Sequence, residues 1–273
     1  MTEKISLCEK YPNAELTLFV HDEACDPRPA VIVCPGGAYF SIADREGEPI
    51  ARFFYNAGLN AYVLRYSIAP APMRYNPLIE LSLALKFVRE NAAAHNTAPD
   101  KILTCGFSAG GHLAASAGIL WNIPEVRDAI GVTDGSAPEG INRPDGMILS
   151  YPVITAGKYY PNNFSIQNLS ESKCYSEEDA ERFSLERHVD STTPPMFIWH
   201  TASDEGVPVK NAMLLVDAYI EHSLSFEAHI YPFGPHGLSL ATKETEAGKP
   251  EWVNPHAATW TSLALEWIKD TFK

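Results

Sequence analysis

The chain has 273 residues, 45% hydrophobic and 20% charged, an ordinary globular balance with length enough for a sizeable core. Its 34 acidic against 21 basic residues leave a net charge of −13. That argues against nucleic acid or an anionic membrane as a partner, because no surplus of Lys and Arg exists to neutralise phosphates.

Taken in order, Glu15–Val20 alternates apolar and polar residues and predicts an early antiparallel strand. Ala30–Cys34 is a continuous apolar run, suited to a strand buried on both faces. It ends at Pro35-Gly36-Gly37-Ala38-Tyr39, where two glycines let the backbone turn its amides toward a ligand. Residues 48–57 carry Ile50, Phe53, Phe54 and Ala57 at helical spacing, and Gly58 closes that helix. Asn60–Arg65 reads as the next strand and residues 69–77 as a proline-rich loop. Leu78–Ala94 reads as a helix with Leu78, Leu81, Leu85 and Val88 on one face. After Pro99-Asp100 comes the strand Lys101–Cys105, then Gly106-Phe107-Ser108-Ala109-Gly110, then a small-residue helix. Residues 122–143 read as a polar loop rich in Gly and Pro, and Gly146–Tyr151 as a strand. The stretch 155–190 is the least regular, helical only at Ser176–Phe183. A strand Met196–His200, a helix Val209–His222, a strand Phe226–Tyr231 and a helix Ala257–Lys273 complete the chain. This alternation predicts an α/β class, with a mostly parallel, doubly wound sheet, flanking helices and one domain over 1–273.

In such a sheet, active sites gather at the carboxyl ends of strands. Three strand ends carry chemistry. Gly106-x-Ser108-x-Gly110, between a strand and a helix, has the context of a nucleophile elbow. The helix after Ser108 aims its amides and positive dipole end at a developing oxyanion. Strand Met196–His200 runs into Asp204, and strand Phe226–Tyr231 into His236. A serine hydroxyl needs a base within hydrogen-bond reach, and His236 in its Gly-flanked loop is the best candidate. Asp204 would then fix the imidazole tautomer. Glu205 or Asp190 could instead be the acid. His200, His229, His112, His222 and His256 compete as base, although His200 and His229 lie within strands and His112 is one turn into the elbow helix. Oxyanion donors are expected from Ala109 and from Gly37 and Ala38. Tyr39, Trp121, Tyr160 and Phe164 are candidates for an acyl or sugar pocket, with simple packing as the alternative.

Five cysteines at 8, 25, 34, 105 and 174 are odd in number and irregular in spacing. They read as free thiols, and with no apolar leader near the N-terminus the expected location is the cytoplasm. No run of residues approaches a bilayer span. No metal-ligand spacing, phosphate loop or dinucleotide fingerprint appears, so neither metal nor cofactor is expected.

At these residues the chain resembles the α/β-hydrolase superfamily, and within it the compact esterases related to acetylxylan esterases and the hormone-sensitive-lipase group. The resemblance rests on Cys-Pro-Gly-Gly-Ala-Tyr (34–39), Val-Leu-Arg-Tyr-Ser-Ile-Ala-Pro (63–70), Gly-Phe-Ser-Ala-Gly-Gly-His-Leu-Ala (106–114), Arg-Phe-Ser-Leu-Glu-Arg-His-Val (182–189), Trp-His-Thr-Ala-Ser-Asp (199–204) with Val-Pro (207–208), and Phe-Gly-Pro-His-Gly-Leu (233–238). It implies Ser108 as nucleophile, Asp204 as acid, His236 as base, and oxyanion donors at Gly37, Ala38 and Ala109. Pro35 departs from the pattern, standing where lipase-group members carry the histidine of His-Gly-Gly-Gly. Strand Ala30–Cys34 also begins early, which predicts no large cap domain. Both points favour small-ester or carbohydrate-ester hydrolysis, with 155–190 as a short cover over the pocket. The expected partner is a small-molecule ester, and a homo-oligomer stays open. An amidase, peptidase or lactonase could use the same triad, and a non-catalytic small-molecule-binding protein could share the fold.

Overall fold

The computed structural model describes residues 3–21, 26–157, 159, 163–172 and 176–273. In chain order its elements are β1 (Glu3–Ser6), β2 (Glu15–Phe19), β3 (Arg28–Cys34), α1 (Glu48–Asn56), β4 (Asn60–Arg65), α2 (Asn76–Glu90), β5 (Thr97–Phe107), α3 (Ala109–Ile119), α4 (Pro124–Ala129), β6 (Gly146–Ser150), α5 (Phe164–Ser170), α6 (Glu177–Phe183), β7 (Met196–Thr201), α7 (Lys210–Glu221), β8 (Phe226–Tyr231) and α8 (Trp260–Thr271). Among the described residues eight strands join one sheet in the order β1-β2-β4-β3-β5-β6-β7-β8. β1–β2 and β2–β4 pair antiparallel, and every other pair is parallel.

The alternation of side chains along the central strands divides the core into two layers. In β3, Ala30, Ile32 and Cys34 face the layer covered by α2, α3 and α7, while Val31 and Val33 face the layer covered by α1 and α8. β7 divides likewise, with Met196 and Ile198 on one side and Phe197 and Trp199 on the other. These side chains are fully buried, and the Val, Ile, Met and Phe among them are each worth about 2 kcal/mol relative to exposure. A strand covered on both faces must be apolar throughout, which is why β3, β6 and β7 show no polar alternation.

The topology fixes where a ligand can enter. After β3 the chain passes to β4 on one side, then returns to β5 on the other. The connections leaving the carboxyl ends of β3 and β5 therefore part in opposite directions and open a crevice between them. The Gly36-Gly37 loop and the Ser108 turn border that crevice.

Several details depart from the sequence-based expectations. β1 adds a polar strand at the sheet edge that no hydrophobic pattern announces. β5 begins at Thr97, ahead of Pro99-Asp100, and its pairing with β3 is irregular between Arg28 and Ala30. The expected loop 122–143 contains the short helix α4, which buries Val126. In the 155–190 stretch the described residues add helix α5 to the expected helix α6. Asn163 Oδ1 caps α5 by accepting from the Ile166 amide, and Ser176 Oγ caps α6 by accepting from Asp179. No helix among the described residues is long and apolar enough to cross a membrane. Cys34 and Cys105 are buried, and burial pushes both thiols up, so they pack as small apolar groups. Cys25 and Cys174 lie outside the described residues.

Candidate active site

Ser108 sits between the last residue of β5 and the first of α3, at φ 54° and ψ −118°. This is a left-handed conformation that a non-glycine residue adopts only under constraint. Its neighbours supply the constraint. A Cβ on Gly106 would lie 2.1 Å from the Gly110 carbonyl oxygen, and one on Gly110 would lie 2.1 Å from the Cys34 carbonyl oxygen. Only glycines let strand, turn and helix approach this closely.

The structure brings Ser108, His236 and Asp204 together, although they are far apart in sequence. His236 Nε2 lies 2.8 Å from Ser108 Oγ, and His236 Nδ1 lies 2.7 Å from Asp204 Oδ2. With Nδ1–H donating to the carboxylate, Nε2 is left as the acceptor for the serine hydroxyl. Asp204 is buried, and Gly206 and Val207 amides each donate to its Oδ1 at 2.8 Å. Burial alone would push this carboxyl up. Hydrogen bonds from His200 and His236, the His236 charge and the Val207 amide together hold it well below the usual carboxylate range. It is therefore a fixed anion behind the imidazole.

The predicted oxyanion donors flank this serine. Gly36 N–H donates to Glu46 Oε2 at 2.9 Å and so is occupied. The amides of Gly37, Ala38 and Ala109 have no protein acceptor among the described residues. Gly37 takes φ 127°, and a Cβ there would meet the Ser41 carbonyl oxygen at 2.0 Å. Ala38 and Tyr39 follow at φ 57° and 54°. The loop is held from outside by Asn168 of α5, whose Nδ2 donates to the Ala38 carbonyl at 2.8 Å.

The rival candidates are engaged elsewhere. Glu205 is exposed, and Asp190 accepts from Thr192 within its own turn. His229 bonds Glu227, and His256 packs edge-on against Tyr231. His222 is exposed at the end of α7. His200 supports the acid instead: its Nε2 lies 2.9 Å from the Val207 carbonyl and 3.3 Å from Asp204 Oδ2.

Two pocket expectations are corrected. Tyr39 is buried in the core, with its hydroxyl 3.0 Å from His112 Nδ1, so its ring is packing and anchorage rather than a substrate surface. Trp121 stands past the far end of α3, about 20 Å from Ser108 by helical rise. Its Nε1 donates to Thr192, and it borders a separate surface cleft with Arg89 and Ile141. Tyr160 lies outside the described residues. Phe164 is exposed, and its ring centroid lies 5.9 Å from that of exposed Phe40, the residue after Tyr39.

The anchor of Tyr39 gives a test of its own. His112 Nε2 lies 3.0 Å from the Phe183 carbonyl, so Nε2 carries the proton and Nδ1 accepts from Tyr39. Burial lowers the His112 pKa to about 4, against a partial rise from the Phe183 carbonyl. The unfolded chain binds this proton below about 6.5. Stability is therefore highest above that value, falls as the pH drops from about 6.5 to about 4, and loses about 3 kcal/mol in full. Thermal melts across that window should show the slope, and His112→Gln should flatten it by close to one proton.

Comparisons with known proteins identify the family. The BD-FAE family matches residues 16–219, three-quarters of the chain. The chain belongs to the BD-FAE family of α/β hydrolases. It is 38% identical over 229 residues to Endo-1,4-beta-xylanase B of Butyrivibrio fibrisolvens, covering 81% of this chain and 34% of that protein. It is 27% identical over 217 residues to the Acetylxylan esterase of Xylanibacter ruminicola, covering 78% and 42% respectively. This BD-FAE chain thus spans only about a third to two-fifths of those curated relatives. Among solved structures, the acetyl ester-xyloside bifunctional hydrolase of Caldicellulosiruptor lactoaceticus superposes with a TM-score of 0.81 at 31% identity, covering 94% of this chain and 87% of that one. The carboxylesterase Cest-2923 of Lactobacillus plantarum WCFS1 superposes with a TM-score of 0.83 at 28% identity, covering 99% and 97%.

Sequence reasoning weighed His200 and His112 only as rival bases, and it missed Glu46 and Tyr151. Tyr151 and His200 stand at the carboxyl ends of β6 and β7, the one positional signal that could have found them. Glu46 sits in Arg45-Glu46-Gly47-Glu48, which resembles any solvated charge cluster.

Proposed function

We propose that this chain is a serine esterase that removes short acyl groups, foremost acetyl, from sugars or xylo-oligosaccharides through an acyl-enzyme on Ser108. The observation that carries this reading is the unbroken relay from Ser108 Oγ through His236 to Asp204, beside three amides without acceptors among the described residues. Ser108 Oγ attacks the ester carbonyl as its proton passes to His236 Nε2. The oxyanion forms against the amides of Gly37, Ala38 and Ala109, at the positive end of α3. His236 then gives its proton to the departing alcohol. Water repeats the sequence on the acyl-enzyme and frees the acid. Asp204 stays ionised and holds the imidazolium throughout.

The relatives suggest the substrate class, since an acetylxylan esterase and an acetyl ester-xyloside bifunctional hydrolase are among them. Xylanase and xyloside activity also appear there. Glycoside cleavage needs two carboxylates flanking the bond. Here Asp204 is buried behind His236, and Glu46 is buried and bonded to Gly36 and Tyr151, so ester cleavage is the reading we favour. The segment around α5 leans on the oxyanion loop through Asn168, and we assign it the role of a short wall over the acyl site.

The Phe40–Phe164 pair would then meet the sugar that leaves. A panel of p-nitrophenyl esters should lose at least about tenfold in kcat/KM from acetyl to hexanoyl, with matching anilides slower still. Changing both Phe40 and Phe164 to Ala should raise KM for acetylated xylo-oligosaccharides about tenfold, the equivalent of about 1.4 kcal/mol of lost stacking. The same variant should hydrolyse p-nitrophenyl acetate nearly unchanged. Faster turnover of anilides than esters would replace this reading with an amidase.

A further inference from the structure

Glu46 is a buried carboxylate, 2% exposed, that the acyl-transfer chemistry does not use. It lies in the turn before α1, and its two oxygens face two different loops. Oε2 accepts from the Gly36 amide at the root of the oxyanion loop, at 2.9 Å. Oε1 accepts from the Tyr151 hydroxyl at 2.8 Å. Tyr151 stands at the carboxyl end of β6, and its hydroxyl in turn accepts from the Ser239 amide at 2.8 Å, three residues beyond His236. The Tyr151 ring packs edge-on against the His236 ring, with centroids 5.1 Å apart. Ser239 Oγ also donates to the Arg45 carbonyl at 2.7 Å. Burial, followed by the nearby Glu46 charge, pushes the Tyr151 phenol well above its ordinary range, so it stays a donor.

We propose that Glu46, acting through Tyr151, is a positioning residue that keeps the oxyanion loop and the His236 loop in common register. This rests on the esterase reading above. The two loops leave different strands, β3 and β8, and this carboxylate bridges them. Register matters because the oxyanion donors and the base must meet one tetrahedral carbon, and small misplacements there cost orders of magnitude in rate. Several elements enclose His236. Asp204 stands at Nδ1 and Ser108 at Nε2, and Tyr151 covers one face. Behind Tyr151 and Gly237 lie Glu46 and Arg45, with Arg45 Nη2 3.6 Å from Glu46 Oε1. The Arg45 guanidinium also stacks 3.7 Å from the centre of the Trp252 ring.

Glu46→Gln and Tyr151→Phe test this on the purified protein with p-nitrophenyl acetate, with Ser108→Ala as a reference. Both variants should lose about tenfold or more in kcat with KM within about twofold. A purely structural role would lower the melting temperature and leave kcat unmoved in the folded fraction, and that result overturns the proposal. Should Glu46→Gln fail to fold, Tyr151→Phe decides: a wild-type kcat overturns the proposal and a loss supports it. If Ser108→Ala stays active, the esterase reading itself falls. If Ser108→Ala is dead while both other variants match wild type, only this inference falls.

Discussion

Ser108→Ala should lower kcat by about 10⁴- to 10⁶-fold toward short-chain aryl esters, while the melting temperature stays within a few degrees of wild type. The reason for the first effect is chemical. Ser108 Oγ is the hydroxyl bonded to His236 Nε2, and alanine offers that base nothing to deprotonate. The reason for the second is conformational. Ser108 holds φ 54° because of the glycines and backbone around it, not because of its hydroxyl. Alanine has the same backbone demands, so the turn keeps its strain and its fold. Steady-state kinetics on the purified variant, with thermal denaturation beside it, checks both halves.

Gly110→Ala should act in the opposite way, on folding first and activity second. Its Cβ would lie 2.1 Å from the Cys34 carbonyl oxygen and 2.4 Å from that of Pro35. Both obstacles are backbone at the end of β3, so no rotamer change relieves them. Helix α3 would have to withdraw from the sheet beneath the nucleophile. We expect a loss above about 3 kcal/mol, read as a fall in melting temperature of about 6 °C or more, or as loss of soluble protein. Gly140→Ala is the informative contrast. That residue has φ 74°, but a methyl group there would meet nothing within 4 Å, so the substitution should lose only about 1 kcal/mol from backbone strain. Equal losses at the two positions would show that close approach at the elbow is not what demands glycine there.

The elements with a local cause were legible in the sequence. β3, β6 and β7 are apolar without alternation because both faces are covered, and that pattern needs no partner to be seen. Gly106-x-Ser108-x-Gly110 between a strand and a helix is likewise local. Asp204 and His236 were reachable because strand ends in a doubly wound sheet converge on one rim. What escaped depends on contacts between distant segments. Glu46 and Tyr151 bond across 105 residues, and Tyr39 and His112 across 73. Nothing near Glu46 distinguishes it from the solvated Asp44 or Glu48. Residue type alone suggests Trp121 and Tyr39 as pocket walls, but it does not say where a ring points. Tyr39 turns inward because its hydroxyl finds His112, and Trp121 is remote because α3 carries it to the far end of the molecule. β1 is polar, and its reason to be a strand is the open edge of β2 rather than its own composition.

The most direct test of Ser108 as the nucleophile is peptide mass spectrometry after reaction with a fluorophosphonate, on wild type and His236→Ala. Wild type should carry one label, on Ser108, and lose activity in proportion to labelling, while His236→Ala should label far more slowly. Labelling at any other residue with loss of activity would contradict that role, as would full hydrolysis by protein whose Ser108 is blocked.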